Sequence, residues 1–443
     1  MPFIFFKKYF SPVKYISSVN IIITGIGAVV GIINARLLGP EALGVIAVVL
    51  GIYSSITTFI DVRLIDVVGK LYYQMEEAQY RGNVLRVYLI FSGLLGGLMW
   101  LCNYFIVVFA AGYFTDTLIK PGWVAYSAFY FSLNYLVSAF QYQQRFSERF
   151  YLIGTWRFLI YLGWVFIFLL ILASSPNVEG YFSASFWGVV WNFIMTVFLS
   201  VFIWIKYEHF NIFSNDFGGV FRVYFQQVRL IFWGNLLGYT KMLHRGADIL
   251  LVSYFADDRV TGLYKIARSL ADSTFVFYDS MNQVYFPRFM QLLSANSFQE
   301  YRKLILRSLS AAGFLTLVII VGEWVGLKYF VKYVLTSKFA GAELAILILS
   351  STLFFIVGFY IWLWPILIHN GKLGYFTGFS IVAGFIQYLI TVMLLQFSAA
   401  DPASAALGYL GYYLFLIPVM WYLAGRLKPE LFHGLLKMGI FKR

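Results

Sequence analysis

The 443-residue chain is 61% hydrophobic and 12% charged, with a mean hydropathy of +0.77, a composition outside the range of soluble globular domains. Its 33 Lys and Arg against 20 Asp and Glu leave a net charge of +13, which in so apolar a chain serves orientation and attraction to anionic lipid rather than nucleic-acid binding. The single cysteine, Cys102, excludes an internal disulfide and a cysteine-based metal site, so redox chemistry is not the function.

Apolar segments long enough to cross a hydrocarbon core of about 30 Å as helices are expected at 16–37, 42–62, 88–111, 122–140, 151–173, 181–205, 228–255, 260–290, 306–327, 343–368, 373–397 and 403–424. The first follows MPFIFFKKYFSPVKY, whose three lysines partly imitate a signal peptide, but no clean small-residue cleavage site follows and it reads as a retained span. The polar stretches between the second and third spans and between the eighth and ninth are amphipathic, which predicts segments lying on the membrane surface. Pro365 and Pro418 interrupt the tenth and twelfth spans, where kinks are expected.

With both termini on one side, 22 of the 33 basic residues fall on that side, including Lys7, Lys8 and Lys14 at the start and Lys437, Lys442 and Arg443 at the end. Only Arg36, Lys120, Arg259, Lys328, Lys332 and Lys338 fall opposite, so the positive-inside rule places both ends in the cytoplasm. The remaining five, Arg157, Lys241, Arg245, Lys265 and Arg268, lie within spans, four of them in the seventh and eighth. The loops on the far side are all short, which leaves no room for an external catalytic domain.

The two halves correspond weakly at an offset of 218 residues: GPEALGVIA lies over DDRVTGLYK with Gly44 on Gly262, Asp61 falls over Asp279, and Lys70 over Arg288. With a three-residue slip, QYRGNVLR lies over EYRKLILR. Six helices followed by six related helices is the layout of many secondary transporters, whose substrate sites lie near the bilayer midplane where the repeats meet. The expected fold is therefore an all-α polytopic membrane protein of twelve transmembrane helices, in two pseudo-repeated six-helix bundles at 1–210 and 211–443 around a central cavity.

The segments ARLLGPEALGVIAVVLGIYSSITTFIDVRL and ADILLVSYFADDRVTGLYKIARSLADSTF carry a resemblance. In LLGPEALG, and in D-x-L-L-V followed by V-T-G-L-Y-x-x-A, the chain resembles the polysaccharide transporter (O-antigen flippase) family of the multidrug/oligosaccharidyl-lipid/polysaccharide exporter superfamily. The resemblance implies a bacterial cytoplasmic-membrane flippase, acting by alternating access on an oligosaccharide linked to undecaprenyl pyrophosphate. Its partners would be that lipid-linked oligosaccharide, membrane lipids and other polysaccharide assembly proteins. It implies no cofactor; energy would come from a proton or sodium gradient.

The candidate site comes from two polar stripes. Lys241, His244, Arg245 and Asp248 share one face of the seventh span, and Lys265, Arg268, Asp272 and Asp279 one face of the eighth. A charge facing lipid at mid-bilayer costs about 2.5 to 3.5 kcal/mol on insertion scales, so both stripes must face protein or water. Antiparallel geometry puts Arg268 level with Asp248, and Asp272 between Lys241 and Arg245, so one reading is mutual neutralisation. The other is an electropositive cavity, in which Arg245 and Lys241, then Arg268 and Lys265, with His244 and Arg36, hold phosphate or acidic-sugar oxygens. Asp272, Asp248, Asp279 and Asp61 are either counter-ions or ion-coupling carboxylates.

Other classes fit less well. A polymerase or ligase of the same pathway would carry a sizeable external loop, and GIGAVVG lies inside a span, follows no strand and is packing rather than a nucleotide loop. A multidrug or cation antiporter of the same superfamily is the nearer rival, although cationic cargo would favour an acidic cavity.

Overall fold

A computed structural model describes residues 2–60, 78–115, 119–145, 149–208, 235–236, 239, 247–370, 372–397 and 401–431. Among these residues there is no strand. The α-helices are α1 (Pro2–Ile60), α2 (Ala78–Ala110), α3 (Pro121–Arg145), α4 (Phe150–Ser174), α5 (Val178–Ile203), α6 (Ala247–Phe255), α7 (Asp258–Ser294), α8 (Phe298–Tyr329), α9 (Glu343–Phe355), α10 (Ile361–His369), α11 (Leu373–Phe397) and α12 (Pro402–Leu427). Helix is found in every one of the twelve expected spans.

Among the described residues, seven helical segments are long and apolar enough to cross a membrane, from Ser18–Ile60 to Pro402–Leu427. Large apolar side chains on their outer faces are open, with Phe397 86%, Trp324 77%, Phe109 75% and Phe314 72% exposed. Such faces suit acyl chains, and a helix satisfies its own backbone polar groups there. The protein is a multi-pass, all-α membrane protein.

The first two spans are joined with no intervening loop. Helix α1 runs through both and breaks at Gly39, whose φ of 79° and ψ of 171° are open to glycine and strained for any side chain. The expected loop LGPEA is thus a single sharp corner. Later corners are set by side-chain caps at helix starts: Asn177 accepts from the Gly180 N–H at 2.8 Å, Asp257 from Val260 at 2.8 Å, and Asp401 from Ala403 at 2.9 Å.

The polar stretch between the eighth and ninth spans does not form a separate surface segment, contrary to expectation. Helices α7 and α8 both run on to a short turn in which Asn296 takes the left-handed conformation, φ 52°. Aromatic residues on either side of the turn explain the difference. Phe289 and Tyr301 are fully buried and pack ring on ring, centroids 4.7 Å apart, which zips the ends of the two helices together.

The tenth span, where a kink was expected at Pro365, is interrupted before the proline. A wide helical turn over Ile356–Tyr360 separates α9 from α10, and Pro365 sits inside α10. Side chains brace it: the Trp362 indole donates to the Gly358 carbonyl at 2.7 Å, and the Tyr301 hydroxyl to the Trp362 carbonyl at 2.7 Å.

The chain divides into two compact units, one of Met1–Leu38 with Val45–Met242, the other of Gly39–Gly44 with Leu243–Arg443. The boundary expected at 210/211 lies outside the described residues. In the first unit α3 and α4 each pack on α5, and α2 packs on α3. Tyr53 is buried beside them, donating to the Val124 carbonyl at 2.9 Å and accepting from Ser127 at 2.9 Å. In the second unit α12 is central, packed on α9 and α11, while α7 contacts α6, α9, α10 and α12.

Candidate functional site

Helices α6 and α7 form a tight hairpin capped by Asp257, and this fixes their facing residues. Asp248 on α6 is 2% exposed and Arg268 on α7 is 3% exposed. Their charged groups lie 3.5 Å apart, at the equal depth that antiparallel geometry predicts. Tyr264, one turn before Arg268, donates its hydroxyl to the same carboxylate oxygen at 2.6 Å. The other oxygen of Asp248 accepts from the Ile249 backbone N–H at 3.0 Å. Asp248 is therefore a fully engaged counter-ion.

Arg268 has a second carboxylate at 3.4 Å, Asp272, which follows one turn later and is 47% exposed. Asp272 thus pairs within α7; Lys241 and Arg245, between which its depth was expected to fall, lie outside the described residues. The guanidinium carbon lies over the Tyr409 ring of α12, 3.9 Å from its centroid. Tyr409 is 1% exposed and its hydroxyl lies 3.3 Å from that of Tyr413. Although Arg268 sits between two acids, none of its three nitrogens has a hydrogen-bond partner among the described residues. Five N–H donors in a buried place without directed acceptors are a costly arrangement and an available one.

Lys265 is half-buried on the same helix and has no ion-pair partner among the described residues. Two acids and two bases, Asp248, Asp272, Lys265 and Arg268, balance in this cluster. The positive excess expected at mid-depth rests on Lys241 and Arg245, which with His244 and Asp61 lie outside the described residues. Asp279 belongs to α7, but its side chain is outside the described set. Arg36 belongs to the first unit and is exposed, just before the corner at Gly39. Of the tyrosines in the seventh and eighth spans, Tyr264 is consumed by Asp248, and Tyr239 packs on Phe59 with centroids 5.1 Å apart.

The sequence reading missed Tyr409. Its signal is the aromatic run GYLGYY in an otherwise apolar span, which does not by itself point at a guanidinium several helices earlier. It also missed the close approach that brings α12 to α11. A Cβ on Gly408 would overlap the Thr391 hydroxyl, so glycine is what lets the two helices touch. Among the described residues, no group of three or more His, Cys, Asp or Glu is placed to hold a metal ion.

The long-helix membrane fold has known counterparts. An inward-facing multidrug resistance transporter of the MATE family, MOP superfamily, matches with a TM-score of 0.72 at 11% identity, over 91% of this chain and 94% of that one. The MATE multidrug transporter DinF-BH matches with a TM-score of 0.64 at 14% identity, over 95% and 96%. The lipid II flippase MurJ, in an inward closed conformation, matches with a TM-score of 0.58 at 12% identity, over 95% and 93%. At these identities the likeness is one of fold alone. A search by sequence finds no matching curated protein. The family model for polysaccharide biosynthesis proteins matches residues 33–343, and the chain belongs to that family.

Proposed function

We propose that this protein is a flippase that moves an undecaprenyl-pyrophosphate-linked oligosaccharide, an O-antigen or similar repeat unit, from the inner to the outer leaflet of a bacterial cytoplasmic membrane by alternating access. Both termini are cytoplasmic in this reading, which draws on the distribution of basic residues. Family membership in polysaccharide biosynthesis supports it. The observation that carries it is Arg268, a buried guanidinium whose nitrogens lack directed acceptors while a half-exposed carboxylate, Asp272, lies beside it. A phosphate or acidic-sugar oxygen arriving from the Asp272 side would supply the acceptors that the guanidinium fork lacks. Lys265, and by sequence periodicity Lys241 and Arg245, add positive charge on the same two spans.

The test is leaflet exchange of a labelled lipid-linked oligosaccharide by the purified protein in liposomes. Exchange by the native protein, abolished when Lys241 and Arg245 are neutralised together with protein levels unchanged, supports the reading; exchange unaffected by both substitutions rejects this site. A second reading, a multidrug or cation antiporter, draws on the balanced charge of the described cluster. Efflux of a cationic dye without any oligosaccharide exchange would favour it.

A further inference from the structure

Helix α8 is an apolar helix with one carboxylate in its second half. In the run VIIVGEWVG, Glu323 stands among residues that face outward, with Val321 51%, Trp324 77% and Val325 61% exposed. The ninth span is expected to end at residue 327, so Glu323 lies about 6 Å inside that end at 1.5 Å per residue. Its side chain is half-buried against α9, where the Ser350 hydroxyl, 1% exposed, donates to Oε1 at 2.7 Å. Oε2 is buried and has no partner among the described residues. Thr316, seven residues earlier on the same face, is 3% exposed and its hydroxyl is likewise unpartnered.

The charged groups of the neighbouring elements do not neutralise Glu323. Helix α9 has one, Glu343, near its start, and that carboxylate accepts the Gly341 N–H at 2.7 Å. The wide turn Ile356–Tyr360 and α10 contribute only His369, at the far end, and the wide turn that ends α8 contributes Lys332, whose ammonium lies 5.3 Å from the Tyr333 ring centroid. On α8 itself the nearest cation, Lys328, is exposed and five residues on, off the Glu323 face. Helix α7 has its ionisable groups in the arginine cluster (Lys265, Arg268, Asp272), at its start (Asp258, Arg259) and toward its end (Asp279, Arg288). None of the ion pairs among the described residues includes Glu323.

A carboxylate in hydrocarbon, with no cation and one oxygen sealed from water, is disfavoured as an anion. The neutral acid fits this setting, with Oε1 accepting from Ser350 and the proton on Oε2. We propose that Glu323 is a proton-binding site, an acid kept neutral in the seam between α8 and α9 and deprotonated when water reaches Oε2. In that step the Oε2–H bond breaks, its electron pair stays on the carboxylate, and the proton passes to the water as hydronium. The carboxylate keeps Ser350 and gains water as its second partner. The role of this proton in driving transport rests on the flippase reading; its binding does not.

Infrared difference spectra of the reconstituted protein across a pH titration test the binding directly. A protonated-carboxyl carbonyl band should be lost as pH rises, be missing from Glu323→Gln, and move to higher frequency in Ser350→Ala, which keeps the acid and removes its hydrogen bond. Identical carboxyl bands in the native protein and Glu323→Gln would overturn the proposal, as would a band removed by sodium at fixed pH. If Glu323→Gln is not monodisperse, an unshifted band in Ser350→Ala overturns it instead. In liposomes with an imposed pH gradient, Glu323→Gln should retain exchange of labelled lipid-linked oligosaccharide and lose its dependence on the gradient. No exchange by the native protein would reject the flippase reading and leave the proton site to the spectra.

Discussion

Gly44 and Gly262 are reciprocal partners in the fold: a Cβ on Gly44 would overlap the carbonyl oxygen of Asp258, and a Cβ on Gly262 would overlap that of Pro40. Pro40 and Asp258 are separated by the same 218 residues as the two glycines. The weak internal repeat therefore has a physical meaning here. The corner at Gly39–Gly44, which groups with the second unit, meets the start of α7 backbone to backbone, each copy of the repeat using the same small residue for the same approach.

Gly44→Ala and Gly262→Ala should each destabilise the protein by about 1 to 3 kcal/mol, the usual cost of forcing atoms into a packed interior. The atom struck is a backbone carbonyl, which cannot rotate away as a side chain can. Thermal unfolding in detergent, followed by size-exclusion chromatography, measures it; wild-type midpoints for both variants would contradict the packing described.

Gly408→Ala should be destabilising by a similar mechanism and partly rescued by Thr391→Ala, because the first atom met is the Thr391 hydroxyl. The Gln387 carbonyl lies next, at 2.9 Å, so rescue should be incomplete. A double-mutant cycle should give a coupling of about 0.5 kcal/mol or more. Strict additivity would place the two helices further apart.

Arg268→Met leaves Asp248 buried with its charge uncompensated and should cost about 3 to 5 kcal/mol. Arg268→Met combined with Asp248→Asn should recover most of that loss, since no lone charge then remains. Unfolding midpoints for the two singles and the double decide the matter. A double no better than Arg268→Met would show that Asp248 is not the counter-ion.

Tyr264→Phe removes the 2.6 Å bond to Asp248 and keeps the ring in place. A hydrogen bond to a charged group contributes about 1.5 to 3 kcal/mol, so a loss in that range is expected. In the Asp248→Asn background the effect should shrink. Tyr239→Phe serves as the control, because its hydroxyl reaches the Phe59 carbonyl only at 3.4 Å.

Hydropathy alone located helix in all twelve spans, because the length of an apolar run is set by bilayer thickness and needs no tertiary partner. The pairing of Arg268 with Asp248 was legible for a related reason. A hairpin with a two-residue corner fixes the depth of every residue on both arms. The pairing of Asp272 with Arg268 was not legible, because periodicity places a side chain on a face without saying whether it reaches across or along the helix. The turn between α7 and α8 was missed for a different reason: Phe289 at the end of a span and Tyr301 in the polar stretch after it look like ordinary aromatics until the two are seen ring on ring.

The sequence by itself determined the membrane setting, the helical class and the repeat, since each depends on composition or on spacing along one chain. Only tertiary structure decided that Tyr409 lies against Arg268, that Gly408 admits α11, and that Glu323 meets Ser350. These contacts join residues on different helices, most of them tens of positions apart. Their geometry depends on how the helices cross, which no local periodicity encodes.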